Sequence, residues 1–141
     1  MNAAAAVAVA VSFVWLGMVL AISFIEAPLK FRAPGVTVRI GLGIGRLVFR
    51  ALNAVEVILG MAILVAFALN PPPGRALAPI LVAVAVLLVQ LLAVRPRLTR
   101  RSRAVLAGEN APRSHAHYAY VALEAVKVVA LLAGGVVLLA L

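Results

Sequence analysis

Four polar residues interrupt two long apolar runs at matching places, and their side chains are of the types that bind protons or small ions. Asn53 and Glu56 lie in one run, and Glu124 and Lys127 lie in the other. Ionisable residues are rare inside membrane-spanning segments, where they face a protein interior or a wet cavity and often relay protons. We therefore interpret these four residues as an intramembrane polar path or as an ion pair with polar neighbours.

The two runs also resemble each other in sequence. Between residues 51–58 and 122–129, five of the eight positions are identical, Asn53 aligns with Glu124, and Glu56 aligns with Lys127. The match indicates either an internal repeat or chance identities in a sequence rich in Ala, Val and Leu. A true repeat would relate two helices that run in the same direction, with its axis along the membrane normal.

Helical spacing extends each pair into a stripe on one helix face. Arg46 precedes Asn53 and Glu56 at offsets that share a face, and His117 and Tyr120 precede Glu124 and Lys127 in the same way. We predict that the stripes begin at a cytoplasmic mouth formed by Glu26, Lys30, Arg32, Arg46, His117 and Tyr120.

The stripes have three interpretations. In the first, Glu56 and Lys127 form a buried ion pair, with Asn53 and Glu124 hydrogen-bonded beside it. In the second, the stripes line a path or pocket for a proton, a small ion or a polar solute. In the third, they form a surface that meets another subunit.

Composition places the chain in a membrane. Of the 141 residues, 66% are hydrophobic and 12% are charged, and the mean hydropathy is +1.19. The absence of cysteine excludes disulfides and thiolate metal sites. The net charge of +9 comes from Lys and Arg residues beside the apolar runs, so we expect contact with anionic lipid headgroups and not with nucleic acid.

Segment lengths predict an all-α, polytopic membrane protein, a bundle of four transmembrane helices. The spans cover about residues 3–25, 47–69, 76–94 and 117–141 of a single domain (1–141), and Pro28 and Pro34 end the first helix. Connections 26–46 and 95–116 are basic, so the positive-inside rule predicts that they are cytoplasmic and that both termini lie outside. We expect a bacterial inner membrane as the location.

Two connecting segments allow more than one interpretation. Residues 41–45 read Gly-Leu-Gly-Ile-Gly but lack the strand and the remaining fingerprint of a phosphate-binding loop. We expect an interfacial segment or the start of the second helix, with glycines that permit close approach. The stretch from Arg95 to Pro112 is polar and basic and is compatible with a short helix along the membrane surface.

Metal and catalytic sites have little support in the sequence. His115 and His117 are the only candidate metal ligands, and residues two apart do not share a helical face. We expect no metal, no haem and no other cofactor. Ser12 and Ser23 lie in the first helix, where we expect them to be far from the histidines, so we predict no catalytic constellation.

Short motifs resemble a known family. Trp15-x-Gly17, the segment Glu26-Ala27-Pro28-Leu29-x-Phe31, the residues 45–49 and the residues 95–99 are similar to the transmembrane-205-like family of small membrane proteins, a domain of unknown function. The resemblance implies an inner-membrane helical bundle. A more distant similarity is to the four-helix bacterial protoporphyrinogen oxidase, but that family has a histidine early in its first helix, and here none precedes His115.

From these observations we expect a transport or channel-like protein with an intramembrane polar path. The first alternative is a non-catalytic accessory or assembly subunit of a larger membrane complex, and the second is a haem- or metal-linked membrane oxidoreductase. We expect no enzymatic activity, and we expect a homo-oligomer or membership of a membrane complex, because four short spans enclose little space alone.

Overall fold

The chain forms four long helices, as the hydropathy predicts. The computed structural model describes residues 1–108 and 115–141, and no strand occurs among them. Each helix contains a window long and apolar enough to cross a membrane. The helices are α1 (Ala3–Arg32), α2 (Val38–Leu69), α3 (Gly74–Leu106) and α4 (His115–Leu139). The prediction of an all-α protein with four spanning helices is confirmed, and the chain is a multi-pass membrane protein.

Helix α1 continues past Pro28 and ends at Arg32, before the second of the two prolines that were predicted to end it. The helix widens from α-helical winding over Ala3–Val19 to π-helical winding over Leu20–Glu26. At the end of the π segment the N–H of Ala27 bonds to the carbonyl of Ile22, five residues back. The wider turn leaves room for a proline ring that would clash with an ordinary α-helical turn. The helix ends only at Arg32, before Pro34.

Helix α3 repeats this arrangement. It is α-helical over Gly74–Val89, π-helical over Gln90–Val94 and α-helical again over Arg95–Leu106. Arg95 N–H bonds to the carbonyl of Gln90, and Pro96 follows at once. The basic segment is thus a continuation of α3 and not a separate surface helix. Residues 109–114, which include Arg113 of the predicted connection, lie outside the described residues.

The glycines at 41–45 belong to the first turns of α2. Thr37 caps this helix by accepting a hydrogen bond from Ile40 N–H at 3.2 Å. The Phe31 ring occupies the space that a side chain at Gly41 would need. The segment is therefore the start of the second helix, and side chains of α1 make the close approach.

Close packing of helices holds together the half of the bundle that contains Gly134 and Gly135. Helix α4 packs against α1 and α3, and α1 packs against α2. An added Cβ would lie 2.6 Å from Ile80 Cδ1 at Gly134 and 2.9 Å from Phe13 Cζ at Gly135. These glycines let α4 approach both neighbours around an apolar core.

The two ends of the bundle differ in charge. At the terminal end, Asn70 Nδ2, beyond α2, donates to Asn2 Oδ1 at 3.3 Å, and Leu141 borders the same small cavity. The basic end carries the α1–α2 connection and the Arg-rich continuation of α3. Which end faces the cytoplasm stays a prediction of the positive-inside rule.

Candidate functional site

Three ionisable side chains meet near the middle of the bundle. Lys127 Nζ lies 2.6 Å from Glu56 Oε2 and 2.5 Å from Glu124 Oε1. It also donates a hydrogen bond to Gln90 Oε1 at 2.8 Å. All four residues are 0–1% exposed. We call Glu56, Gln90, Glu124 and Lys127 the ion cluster.

Further hydrogen bonds tie the ion cluster to every helix. Trp15 Nε1 of α1 donates to Glu56 Oε2 at 2.8 Å. Gln90 Nε2 of α3 donates to Glu124 Oε1 at 2.8 Å. The hydroxyl of Ser23, also from α1, donates to Glu124 Oε2. Since all four helices contribute, the cluster fixes how they are placed around each other.

The charges of the ion cluster do not balance when all three groups are ionised. Two carboxylates face one ammonium, and Glu56 Oε1 is buried without a hydrogen-bond partner in the described part of the chain. An excess charge on buried groups is costly. One bound proton or one small cation would therefore neutralise the cluster.

The π-helical segments position two members of this network. Ser23 lies in the π segment of α1, and Gln90 begins the π segment of α3. Both side chains bond to Glu124, so both helices change their winding where they contact the same carboxyl group. Single π turns within α-helices are frequent at functional sites.

A pocket of about 370 Å³ lies at the basic end and reaches the ion cluster. Glu124 lines the pocket and also contacts Lys127, so it belongs to both features. Ser23 and His117 border the same pocket, and the expectation that they are far apart was wrong. The other polar lining side chains come from all four helices: Lys30, Arg46, Arg95, Arg101, Ser102 and Tyr120.

Asn53 does not join the ion cluster, although the sequence places it in the same polar path. The predicted hydrogen bond between Asn53 and Glu124 does not form; Asn53 accepts a hydrogen bond from Tyr120 Oη at 3.5 Å. Tyr120 is 6% exposed and packs edge-on against Phe49, with 5.8 Å between ring centroids. Tyr120 is thus part of the buried wall of the pocket and not of its mouth.

Only some of the residues predicted to form the cytoplasmic mouth line the pocket. Lys30, Arg46 and His117 line the pocket. Glu26 lies beside it, with Oε2 3.7 Å from Lys30 Nζ. Arg32 is exposed and does not line the pocket.

The histidines lie in regular α-helix, on different faces. His115 is exposed and His117 is partly buried, with its ring centroid 5.6 Å from that of Tyr118. Among residues 1–108 and 115–141, no group of three or more His, Cys, Asp or Glu side chains is arranged to hold a metal ion. The expectation that the protein uses no metal or cofactor stays a prediction.

Beyond Glu56 the interior becomes apolar. Toward the terminal end the core consists of buried hydrophobic side chains, among them Ile63, Phe67 and Leu131. The second cavity, of about 260 Å³, lies at that end and is lined by residues such as Asn2 and Asn70. Among the described residues, the pocket gives access to the ion cluster from the basic end, and apolar side chains pack on its other side.

Sequence reasoning missed several of these residues. It gave no polar contact to Trp15 and no role in a site to Ser23, Gln90 or Arg95. Gln90 carried a signal, because it is the single polar residue of the third apolar run. The proline a few residues after Ser23 and after Gln90 was a second signal, since it marks where the winding must widen.

Comparison with known proteins adds no relative to this picture. No family model matches the chain, and no curated protein and no solved structure matches it. The resemblance to the transmembrane-205-like family stays a prediction, and the function has to be argued from the site itself.

Proposed function

We propose that this multi-pass membrane protein is a proton-linked transporter of an anionic solute in a bacterial inner membrane. In this proposal the pocket faces the cytoplasm, as the basic end predicts, and Glu124 binds the proton. One observation carries the proposal: a single carboxyl group lines an open pocket while it contacts a buried ammonium. Carboxylates at such positions serve as proton sites in pumps and transporters.

The ion cluster provides a way to hold and release the proton. Lys127 is close enough to Glu56 and Glu124 to pair with either carboxylate. When a proton from the pocket neutralises Glu124, Lys127 keeps Glu56 as its partner, and no buried charge is left alone. When the proton leaves, Ser23 and Gln90 stabilise the Glu124 carboxylate.

Other titratable groups set the electrostatic environment of Glu124. Lys127 contacts Glu124 directly, and Glu56 is linked to it through Lys127. Positively charged side chains line the pocket. These groups come from every packed element: Glu26 and Lys30 from α1, Arg46 from α2, Arg95 and Arg101 from α3, and His117 and Tyr120 from α4. The excess of cations around the pocket favours an anionic solute.

One-sided access favours transport by alternating conformations over a continuous channel. Lys127 lies about 18 Å along α4 from its first residue, near the middle of a helix of about 37 Å. The pocket reaches this level from the basic end, and apolar packing closes the other side. A transporter with a central site requires such a closed half and a second state that opens it.

Proton movement in proteoliposomes tests the proposal. The protein is reconstituted in vesicles that contain a pH-sensitive dye, and a pH gradient is imposed with inorganic phosphate, short-chain carboxylates or alkyl phosphates outside. We expect solute-dependent proton movement that is lost in Glu124→Gln and kept in Arg32→Gln, which removes an exposed charge that does not line the pocket. Circular dichroism confirms that both variants are folded.

The opposite result supports a structural role. If the wild-type protein and Glu124→Gln give the same proton movement as protein-free vesicles with every solute, the transport proposal fails. The ion cluster would then act in packing or in contact with another subunit, as the alternative of an accessory protein requires.

A further inference from the structure

Two cationic side chains line the pocket and contact the same aromatic ring. Lys30 Nζ lies 5.7 Å from the centroid of the Phe49 ring, and Arg95 Cζ lies 5.3 Å from the same centroid. Arg95 also lies 5.3 Å from the centroid of the Tyr120 ring. These cation–π contacts come from α1, α2, α3 and α4 and hold both charges at the inner wall.

The two cations have more capacity for anions than the described residues satisfy. The Lys30 side chain is only 10% exposed, and its single acidic neighbour is Glu26, with 3.7 Å between Nζ and Oε2. Arg95 Nη2 is buried without a hydrogen-bond partner in the described part of the chain. Buried donors without partners are rare in folded proteins and call for an explanation. An oxyanion bound in the pocket beside Arg95 would supply it.

Part of the pocket wall is apolar and borders the lipid-facing surface. Phe24 and Phe31 are each 40% exposed and Val121 is 43% exposed, and all three line the pocket. Phe24 and Val121 belong to segments that we place within the membrane, so their outer faces contact acyl chains. A ligand in this pocket can therefore place an apolar part against these side chains and a charged part near Lys30.

We propose that the pocket binds the phosphate group of an anionic membrane phospholipid, with its acyl chains along Phe24 and Val121. Arg95 offers the two-pronged donor that matches phosphate oxygens, and Lys30 adds a second positive charge. Basic pockets between membrane helices on the cytoplasmic side are suited to such headgroups. If the phospholipid is the solute that is transported, this inference rests on the proposed function. Its binding to the pocket can be measured without any transport.

Binding to the purified protein in a non-ionic detergent tests the proposal. The probes are a short-chain phosphatidic acid, a phosphatidylcholine with the same chains, and inorganic phosphate, each titrated by native mass spectrometry. We expect phosphatidic acid to bind roughly tenfold more tightly than either of the other two, a difference that one strong charge-assisted contact can supply.

Matched variants locate the site. Arg95→Gln and Lys30→Gln should each weaken the binding of phosphatidic acid severalfold. Arg97→Gln removes the same charge from the same helix at an exposed position outside the pocket, and it should leave affinity within about twofold, as expected for a screened surface charge. Using two pocket variants keeps the test valid if one of them does not fold.

Three outcomes would overturn the inference. Equal losses in Arg95→Gln and Arg97→Gln would mean diffuse attraction to a basic surface. Equal affinity for phosphatidic acid and phosphatidylcholine would remove the need for a net negative headgroup, and equal affinity for inorganic phosphate would make the ligand a free ion. If lipid binds but no proton moves, the proposed function fails alone; if Glu124-dependent proton movement occurs without lipid binding, only this inference fails.

Discussion

The two halves of the bundle are built on different principles. The terminal half is regular α-helix around an apolar core, and Gly134 and Gly135 bring α4 close to its neighbours. The basic half contains both π-helical segments, the pocket and most of the charge. The ion cluster lies at the boundary between them.

The difference indicates where stability and function reside. Without a hydrophobic driving force between helices in lipid, association depends on close packing and interhelical hydrogen bonds. The terminal half provides the packing, and the ion cluster provides the hydrogen bonds. This division allows the basic half to keep a pocket, wider helical turns and donors without partners that a uniformly packed bundle would not tolerate.

The largest effect on stability is expected from Lys127→Met. This change leaves Glu56 and Glu124 buried without a cation, and the loss of one partner of a buried ion pair costs about 3–5 kcal/mol. Denaturant unfolding of the protein in mild detergent, followed by circular dichroism, measures the loss. Lys30→Met is the control, since its ammonium borders a pocket and its carboxylate neighbour, Glu26, is 3.7 Å away and 35% exposed; equal losses in the two variants would contradict this account.

A smaller effect is expected from Glu56→Gln. If Glu56 and Lys127 formed an isolated pair, this change would cost as much as the loss of Lys127. In the structure Lys127 keeps Glu124 at 2.5 Å and Gln90 at 2.8 Å. The expected cost is therefore about 1–3 kcal/mol, for the amide group that is left without a partner. The same unfolding experiment measures this cost. If Glu56→Gln lowers the free energy of unfolding as much as Lys127→Met does, Glu124 does not replace Glu56 as the partner of Lys127.

The fold and part of this cluster could be predicted from the sequence. Apolar length alone defines the four helices, because a bilayer requires about 20 apolar residues for each crossing. The approach of Glu56 to Lys127 could also be anticipated. Each residue is the innermost charge of a stripe with helical spacing, and the two helices run in the same direction.

The pocket and the π-helical contacts could not be predicted in this way. A period of 3.6 residues assigns faces correctly only while the winding is α-helical, and the π segments turn Ser23 and Gln90 away from those faces. The convergence of Lys30 and Arg95 on Phe49 depends on how three different helices pack. No local pattern contains that information.

Gly134→Ala tests whether the terminal half depends on close packing. The added methyl group would meet Ile80 Cδ1 at 2.6 Å and Cγ1 at 3.0 Å, so the buried Ile80 side chain or the two helices must shift. Overpacking of this kind costs about 1–3 kcal/mol. Gly17→Ala is the matched control, because nothing lies within 4 Å of its added Cβ. It should be neutral or stabilising by up to about 1 kcal/mol through helix propensity, and equal effects would refute the packing argument.

The smallest effect on stability, and the one that separates the two halves most sharply, is expected from Gly45→Ala. The added Cβ would lie 3.0 Å from Lys30 Nζ, the end of a flexible side chain that can move aside, so the free energy of unfolding should fall by less than about 1 kcal/mol. The moved ammonium should nevertheless weaken phosphatidic acid binding severalfold.

Gly43→Ala is the control, because it lies two residues earlier in α2 with open space around it. It should change neither the stability nor the binding beyond the gain in helix propensity. Titration of both variants by native mass spectrometry, beside their unfolding curves, makes the comparison. Unchanged binding in Gly45→Ala would mean that the position of Lys30 is not what the ligand senses.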